Sequence, residues 1–265
     1  MRRELQTYTS GLRVVGSTAC MALLQACADP KSSSTGGPDG GPVPTSRMSL
    51  DLRVESTDLR IAVVRANLND GRSFGASYRL DGGDFFEACV NGVCRVMADN
   101  DSLSSPDYIA RFDYQSDVDF VVSFNRRQDR DAPNSRVILP AAFTIVTPAN
   151  RQQVTDGETV LVSWTPTGAP AGVTLDYHAD CSYLGGWESH LGGSLGVDAN
   201  GDGRESIRID RVVDLARQNE PAPLNRCSID VIVSHELQGR IDPAFHNGTA
   251  VGVISRAVTL DYVPR

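Results

Sequence analysis

One short segment of the chain carries three side chains that could hold a metal ion or transfer protons. In the stretch VTLDYHADC, apolar and polar residues alternate, so Asp176, His178 and Asp180 share one face of a predicted strand. Imidazole and carboxylate groups ligate divalent metals and act as acids or bases near neutral pH. The polar face of any half-exposed strand has the same pattern, and we favour that structural interpretation.

A second polar segment, VDANGDGRESIRID, matches part of a calcium-binding loop. Asp198, Asn200 and Asp202 take the first, third and fifth positions of such a loop, and Gly203 takes the sixth. The twelfth position normally supplies a bidentate glutamate, but here it holds Ile209. Calcium is therefore the one cofactor that the sequence suggests, and the alternative is a hairpin turn of the Asn-Gly and Asp-Gly type.

The segment CSYLGGWESHLGG places two aromatic residues, Tyr183 and Trp187, among glycines in a predicted loop. Exposed aromatic rings in loops bind glycans or protein partners by stacking, so both residues are candidate binding residues. In the alternative, which we favour, Trp187 packs beneath the loop near Cys181 and stabilises it.

Motifs of common enzyme classes are missing from the sequence. There is no G-x-S-x-G and no phosphate-binding loop, and HELQGRIDPAFH lacks the second histidine of a zinc protease motif. We therefore expect a protein that binds a partner or has a structural role. The alternative is a metal-dependent or hydrolytic enzyme with its site in the second half of the chain.

Four cysteines are predicted to form two disulfides. In CVNGVC, Asn91-Gly92 favours a two-residue hairpin turn that brings Cys89 opposite Cys94, within bonding range. The other bridge then joins Cys181 to Cys227. A redox or zinc pair at Cys89 and Cys94 is the alternative. A reactive dithiol is usually C-x-x-C and a zinc site needs two such cysteine pairs, whereas this pair stands alone within strand-like sequence.

The beginning of the chain has the layout of an export signal. Basic residues precede an uncharged run, Val14 to Leu24, which is too short to span a bilayer as a helix. The run ends in Leu24-Gln25-Ala26-Cys27, which resembles the lipobox of bacterial lipoproteins. That resemblance implies removal of residues 1–26 and acylation of Cys27, palmitate included, so that the membrane is a partner through the lipid anchor. The alternatives are simple secretion, with cleavage before Asp29, and a cytosolic chain.

Residues 27–46 contain mostly Ser, Gly and Pro after the cysteine, so we expect a flexible linker. Ala28 follows the cysteine where aspartate would favour retention at the inner membrane, and by that resemblance we expect the outer membrane. Loss of residues 1–26 changes the net charge from −8 to −10. An acidic surface argues against nucleic acid as a partner, which leaves an envelope protein or glycan.

The rest of the chain is predicted to be all-β. Short runs rich in Val, Ile, Tyr and Phe recur about every ten residues between turn signals, as in a β-sandwich, and only IDRVVDLARQ suggests a helix. The charged run NRRQDRDAPNSR marks a predicted boundary between one sandwich at 47–140 and another at 141–265. In the second, Pro148, Asp156-Gly157 and Trp164 resemble the first strands of fibronectin-type-III and bacterial Ig-like domains, and this resemblance implies that Trp164 is a core residue. The whole chain, with G-x-I-D-P-A-F near its end, also resembles uncharacterised lipoproteins of Gram-negative bacteria.

Overall fold

The computed structural model describes residues 43–69, 78–80, 82–100, 106–167, 172–197, 201–219 and 223–265. Contacts within the chain divide it into Met1–Thr35, which lies outside the described residues, and a compact unit, Gly36–Arg265. Nearly all regular structure in the compact unit is strand, so the all-β prediction is confirmed.

Among the described residues of the first half, eight strands follow a short 3₁₀ turn at Thr45–Arg47. They are β1 (Ser49–Ser56), β2 (Ile61–Asn69), β3 (Phe85–Val90), β4 (Val93–Val96), β5 (Ala98–Asp99), β6 (Tyr108–Asp113), β7 (Asp119–Asn125) and β8 (Ala132–Ile138).

The described part of the second half contributes eight more strands and one helix. They are β9 (Thr144–Thr147), β10 (Gln152–Val154), β11 (Thr159–Thr165), β12 (Val173–Tyr183), β13 (Glu188–Val197), β14 (Arg204–Arg208), α1 (Ile209–Asn219), β15 (Leu224–Gln238) and β16 (Asn247–Tyr262). The helix falls where the sequence predicts it.

The described residues form three sheets. The large sheet has the order β13-β12-β15-β16-β1-β2-β6-β5, and β10 pairs with β16 at one end. Two smaller sheets, β4-β3-β7-β8 and β14-β11-β9, lie against different parts of the large sheet. The buried apolar residues of the described chain form one continuous core between the large sheet and the two small sheets. We call the part under the first small sheet the N-terminal core and the part under the second the C-terminal core.

Aromatic rings fill the N-terminal core. Phe86 of β3 lies 5.4 Å from the ring of Tyr108 on β6 and 4.8 Å from that of Phe124 on β7. In the C-terminal core, Trp164 of β11 is 3% exposed and meets His235 of β15 edge-on at 6.4 Å. The prediction that Trp164 is a core residue is confirmed.

Strand β16 joins the two cores. Residues 247–254 pair in parallel with β1 and residues 251–262 pair with β15, so one sheet crosses the boundary predicted near residue 140. Gly252 lies at this junction, where an added Cβ would be 2.1 Å from the carbonyl oxygen of Ile138. Only glycine allows β8 to pass so close over β16. The division into two domains at residue 140 stays a prediction.

A buried arginine holds Val43, the first described residue, against the end of β7. The side chain of Arg126 is fully buried, and its Nε lies 2.6 Å from Oδ2 of Asp84, which is 8% exposed. Its two terminal nitrogens donate to the carbonyl oxygen of Val43, and its guanidinium lies 5.0 Å from the ring centre of Phe124. The paired charge and these two hydrogen bonds compensate for its burial.

A second polar contact anchors the end of β16. The hydroxyl of Tyr262 donates to Oδ1 of Asp156 at 2.8 Å. A terminal nitrogen of Arg217, on α1, donates to the same Oδ1 at 2.6 Å and to the hydroxyl oxygen of Tyr262 at 2.8 Å. Burial and the bond to Asp156 raise the pKa of Tyr262 to about 12. The helix is thereby fixed to the C-terminal core.

The G-x-I-D-P-A-F motif has a structural role in the loop between β15 and β16. Asp242 is 5% exposed, and its carboxylate accepts hydrogen bonds from the backbone N–H groups of Asn134 and Ala244, both at 2.8 Å. Phe245, three residues later, stacks on Phe124 in the N-terminal core. The motif thus ties a loop of the second half to the first half of the chain.

Candidate functional site

Strand β12 presents its polar residues on one face, as the alternation predicts. Its burial alternates from Val173 to Cys181, with the apolar residues buried and Asp176, His178 and Asp180 half-buried or exposed. The apolar face covers the C-terminal core, so the opposite face is free to carry polar groups.

The structure adds His190, which the sequence did not single out, to this face. In the β12–β13 hairpin, His190 lies directly opposite Asp180. Its Nδ1 is 2.6 Å from Oδ1 of Asp180, and Nε2 of His178 is 3.3 Å from the same oxygen. We call His178, Asp180 and His190 the histidine–aspartate cluster. Asp176 lies further along the strand, opposite Ser194, and is not part of it.

The hairpin turn is the signal that could have identified His190. Gly185 and Gly186 have φ values of +105° and +88°, and the N–H of Tyr183 donates to the carbonyl oxygen of Trp187. A hairpin centred on residue 185 pairs position 180 with position 190. The two glycines favour such a turn, but Asn-Gly at another place in the sequence gave a stronger signal.

Mutual attraction shifts the protonation of the cluster. The hydrogen bond with His190 lowers the pKa of Asp180, with a further contribution from the charge of His178. The same hydrogen bond and the charge of Asp180 raise the pKa of His190. All three side chains are more than half exposed, so solvent screens these charges and the ion pairs contribute little to stability.

The cluster lies at the edge of a shallow depression, which we call the polar concavity. Its volume is about 650 Å³, and it lies over the ends of β12, β15 and β16. Charged groups of both signs and one histidine line it: Arg151, Asp180, Glu188, His190, Arg226 and Asp261. The lining provides hydrogen-bond donors and acceptors for a hydrophilic ligand.

The two candidate aromatic residues have different environments. Tyr183 is 2% exposed, and its hydroxyl donates to the carbonyl oxygen of Ala216 at 2.8 Å, so it is a core residue and not an exposed binding residue. Trp187 is 63% exposed, together with Leu184 at 58% in the same turn. The prediction that Trp187 packs beneath the loop is therefore wrong. Tyr183 occupies the core position in this hairpin.

The calcium loop is described only in part. Asp198 and Asn200 lie outside the described residues. Asp202 pairs with Arg204, whose Nε is 2.9 Å from its Oδ2. Calcium binding at this loop stays a prediction.

Both predicted disulfides are confirmed. Cys89 faces Cys94 across a turn in which Asn91 and Gly92 have positive φ, and Cys181 faces Cys227 across β12 and β15. The four sulfurs are therefore unavailable as nucleophiles or metal ligands. Cys27 lies outside the described residues.

Nothing in the described part of the chain pairs the cluster with a nucleophile. His178 and His190 both contact Asp180, and neither imidazole forms a hydrogen bond to a serine hydroxyl among the described residues. A triad of the hydrolase type needs such a bond. The arrangement can bind ions and polar ligands with the groups that it shows.

No family model and no curated protein matches the chain. Among solved structures, it is similar to the fibronectin(III)-like modules of Clostridium thermocellum CbhA, with 10% identity, coverage of 82% of this chain and 94% of that chain, and a TM-score of 0.25. It is also similar to a chain of a cytokine receptor complex, with 12% identity, coverage of 76% and 98%, and a TM-score of 0.24. No helix in the described residues is both long and apolar enough to cross a bilayer.

Proposed function

We propose that this protein is a lipid-anchored protein of the bacterial outer membrane that binds an envelope glycan without catalysing a reaction. The observation that carries the binding role is the polar concavity, an open depression with charged groups of both signs at the end of the large sheet. A structural or binding role fits the all-β sandwich, since such folds present loops and strand ends to solvent.

The anchor is supported by the sequence. The apolar run before Leu24-Gln25-Ala26-Cys27 and the Ser, Gly and Pro residues after it fit a signal, an acylated cysteine and a spacer. Several acyl chains on Cys27 would hold the protein at the membrane permanently. The spacer would let the compact unit reach ligands beyond the lipid headgroups.

The lining of the concavity favours a glycan over a protein. The centre of a protein–protein interface is depleted of charged residues, whereas glycans offer many hydroxyl groups to carboxylates and guanidinium groups. Trp187, one residue before Glu188 of the lining, exposes its ring at the tip of the same hairpin. A sugar ring could stack there.

Binding of the purified chain to envelope polysaccharide tests the proposal. Arg226→Ala, within the concavity, is expected to weaken binding by about tenfold, as loss of one charged hydrogen bond does. Arg111→Ala, an exposed arginine of β6 outside the concavity, is the matched control and should bind as the unmodified chain does. Equal loss in both variants, or binding of an envelope protein in place of the glycan, contradicts glycan recognition at this place.

The histidine–aspartate cluster favours a second candidate, a metal-dependent or hydrolytic enzyme. Asp180 and His190 line the concavity, so an ion held there could face a bound ligand. Turnover of glycosidic, ester or peptide substrates that is lost in His190→Ala would support an enzyme. Binding of the glycan with no product formed supports the first proposal.

A further inference from the structure

The histidine–aspartate cluster has the ligand types and spacing of a transition-metal site. One ligand atom from each of His178, Asp180 and His190 lies within 4.8 Å of the other two. A tetrahedral site with bonds of 2.0–2.1 Å separates its ligand atoms by about 3.3 Å, so small side-chain rotations bring the three groups into position. We propose that this cluster binds one divalent transition-metal ion, with Zn²⁺ as the representative ion.

The backbone holds the three ligands in place. His178 and Asp180 are two residues apart on one face of β12, and His190 is opposite Asp180 on β13. The residue opposite His178 is Gly192, so no side chain from β13 occupies that side of the ring. Ligands on paired strands are fixed more firmly than ligands on loops.

The donor set selects the class of metal. Two imidazoles and one carboxylate suit Zn²⁺, Ni²⁺ or Cu²⁺, whereas calcium and magnesium prefer oxygen ligands alone. Three protein ligands leave a fourth position for water or a ligand group. The metal would replace the direct contact between His190 and Asp180. That exchange requires little energy because these side chains are 70% and 55% exposed.

The inference goes beyond the proposed function and does not depend on it. It needs only the geometry of the hairpin, and metal binding is measured with no glycan present. Failure of glycan binding would leave the metal site unaffected, and the reverse also holds.

Equilibrium dialysis of the chelator-treated full chain against Zn²⁺ tests the site. We expect one Zn²⁺ per chain, and an affinity at least about tenfold lower in His178→Ala and in His190→Ala. His246→Ala, which removes another exposed histidine, is the matched control and should keep the affinity of the unmodified chain. Co²⁺ in place of Zn²⁺ should give the visible absorption of a tetrahedral complex.

NMR of the imidazole groups of the unmodified chain gives a readout that needs no variant to fold. Zn²⁺ should shift the signals of two histidines and leave the buried His235 and the exposed His246 unchanged. Absence of Zn²⁺ binding, equal affinity in all three variants, or a shift of the His246 signal in place of the cluster would overturn the inference.

Discussion

The two disulfides should differ in their contribution to stability, because they close loops of different length. We compare a double variant, Cys181→Ala with Cys227→Ala, with a second one, Cys89→Ala with Cys94→Ala. Each removes one bridge and two sulfurs. The difference between their free energies of unfolding therefore reflects where each bridge lies in the chain.

The sequence separation of the two cysteines determines how much each bridge contributes to the free energy of unfolding. The bridge of β12 to β15 closes a separation of 46 residues and that of the β3–β4 hairpin a separation of 5. The loss of chain entropy in the unfolded state then amounts to about 4 and about 2 kcal/mol at 25 °C. Cys181 and Cys227 are also buried, at 2% and 3% exposure, so their removal leaves a small cavity that adds to the difference.

Urea-induced unfolding, followed by tryptophan fluorescence, measures the difference. Trp164 is buried in the same core as the longer bridge and reports its unfolding. We expect the Cys181/Cys227 variant to lose at least about 2 kcal/mol more of its free energy of unfolding than the Cys89/Cys94 variant. Equal losses, or a larger loss for the hairpin bridge, would refute the loop-length argument.

Two further predictions concern buried polar groups. Asp84→Asn should lower the free energy of unfolding by about 3 kcal/mol, because the buried charge of Arg126 loses its nearer carboxylate partner and keeps only Asp129 at 3.9 Å; thermal unfolding tests this, and a loss below about 1 kcal/mol would contradict the buried ion pair. Tyr262, with its raised pKa of about 12, should ionise last among the tyrosines in an ultraviolet titration. Its contribution to stability is complete below the ordinary tyrosine pKa of about 10 and is lost as pH rises towards 12, so Tyr262→Phe should flatten this part of the stability curve, and an unchanged curve would contradict it.

Local patterns predicted much of the fold. Alternation of apolar and polar residues identified the strands and the exposed face of β12, and Asn91-Gly92 identified a hairpin together with its disulfide. These features depend on neighbours in sequence. The buried position of Trp164 followed from the resemblance of its surroundings to a known type of domain.

Strand β8 shows where local patterns failed. The charged run before residue 137 does not suggest a strand, yet Ala132–Ile138 is a strand that includes Pro133. Pro133 is tolerated because β8 is the edge strand of its sheet, where a missing N–H does not interrupt the hydrogen bonds between neighbouring strands. Because of the charged residues and Pro133, the sequence does not predict this strand, whose stability comes from its contacts with β7.

The sequence also did not predict which strands pair when they lie far apart along the chain. Ser49 of β1 pairs with Asn247 of β16, and no local signal specifies a partner so far along the chain. The same limit applied to the candidate site. Alternation brought His178 and Asp180 together, but His190 joined them only through the register of the β12–β13 hairpin, and the exposure of Trp187 depended on Tyr183 filling the core.

The most direct test of the proposed function is the mass of the native protein, purified from the cells that make it. The account predicts a chain that lacks residues 1–26 and begins at Cys27, with a mass increased by acyl groups on that residue. An intact N-terminus at Met1, or an unmodified one at Asp29, would contradict the lipid anchor and with it the proposed place of this protein in the envelope.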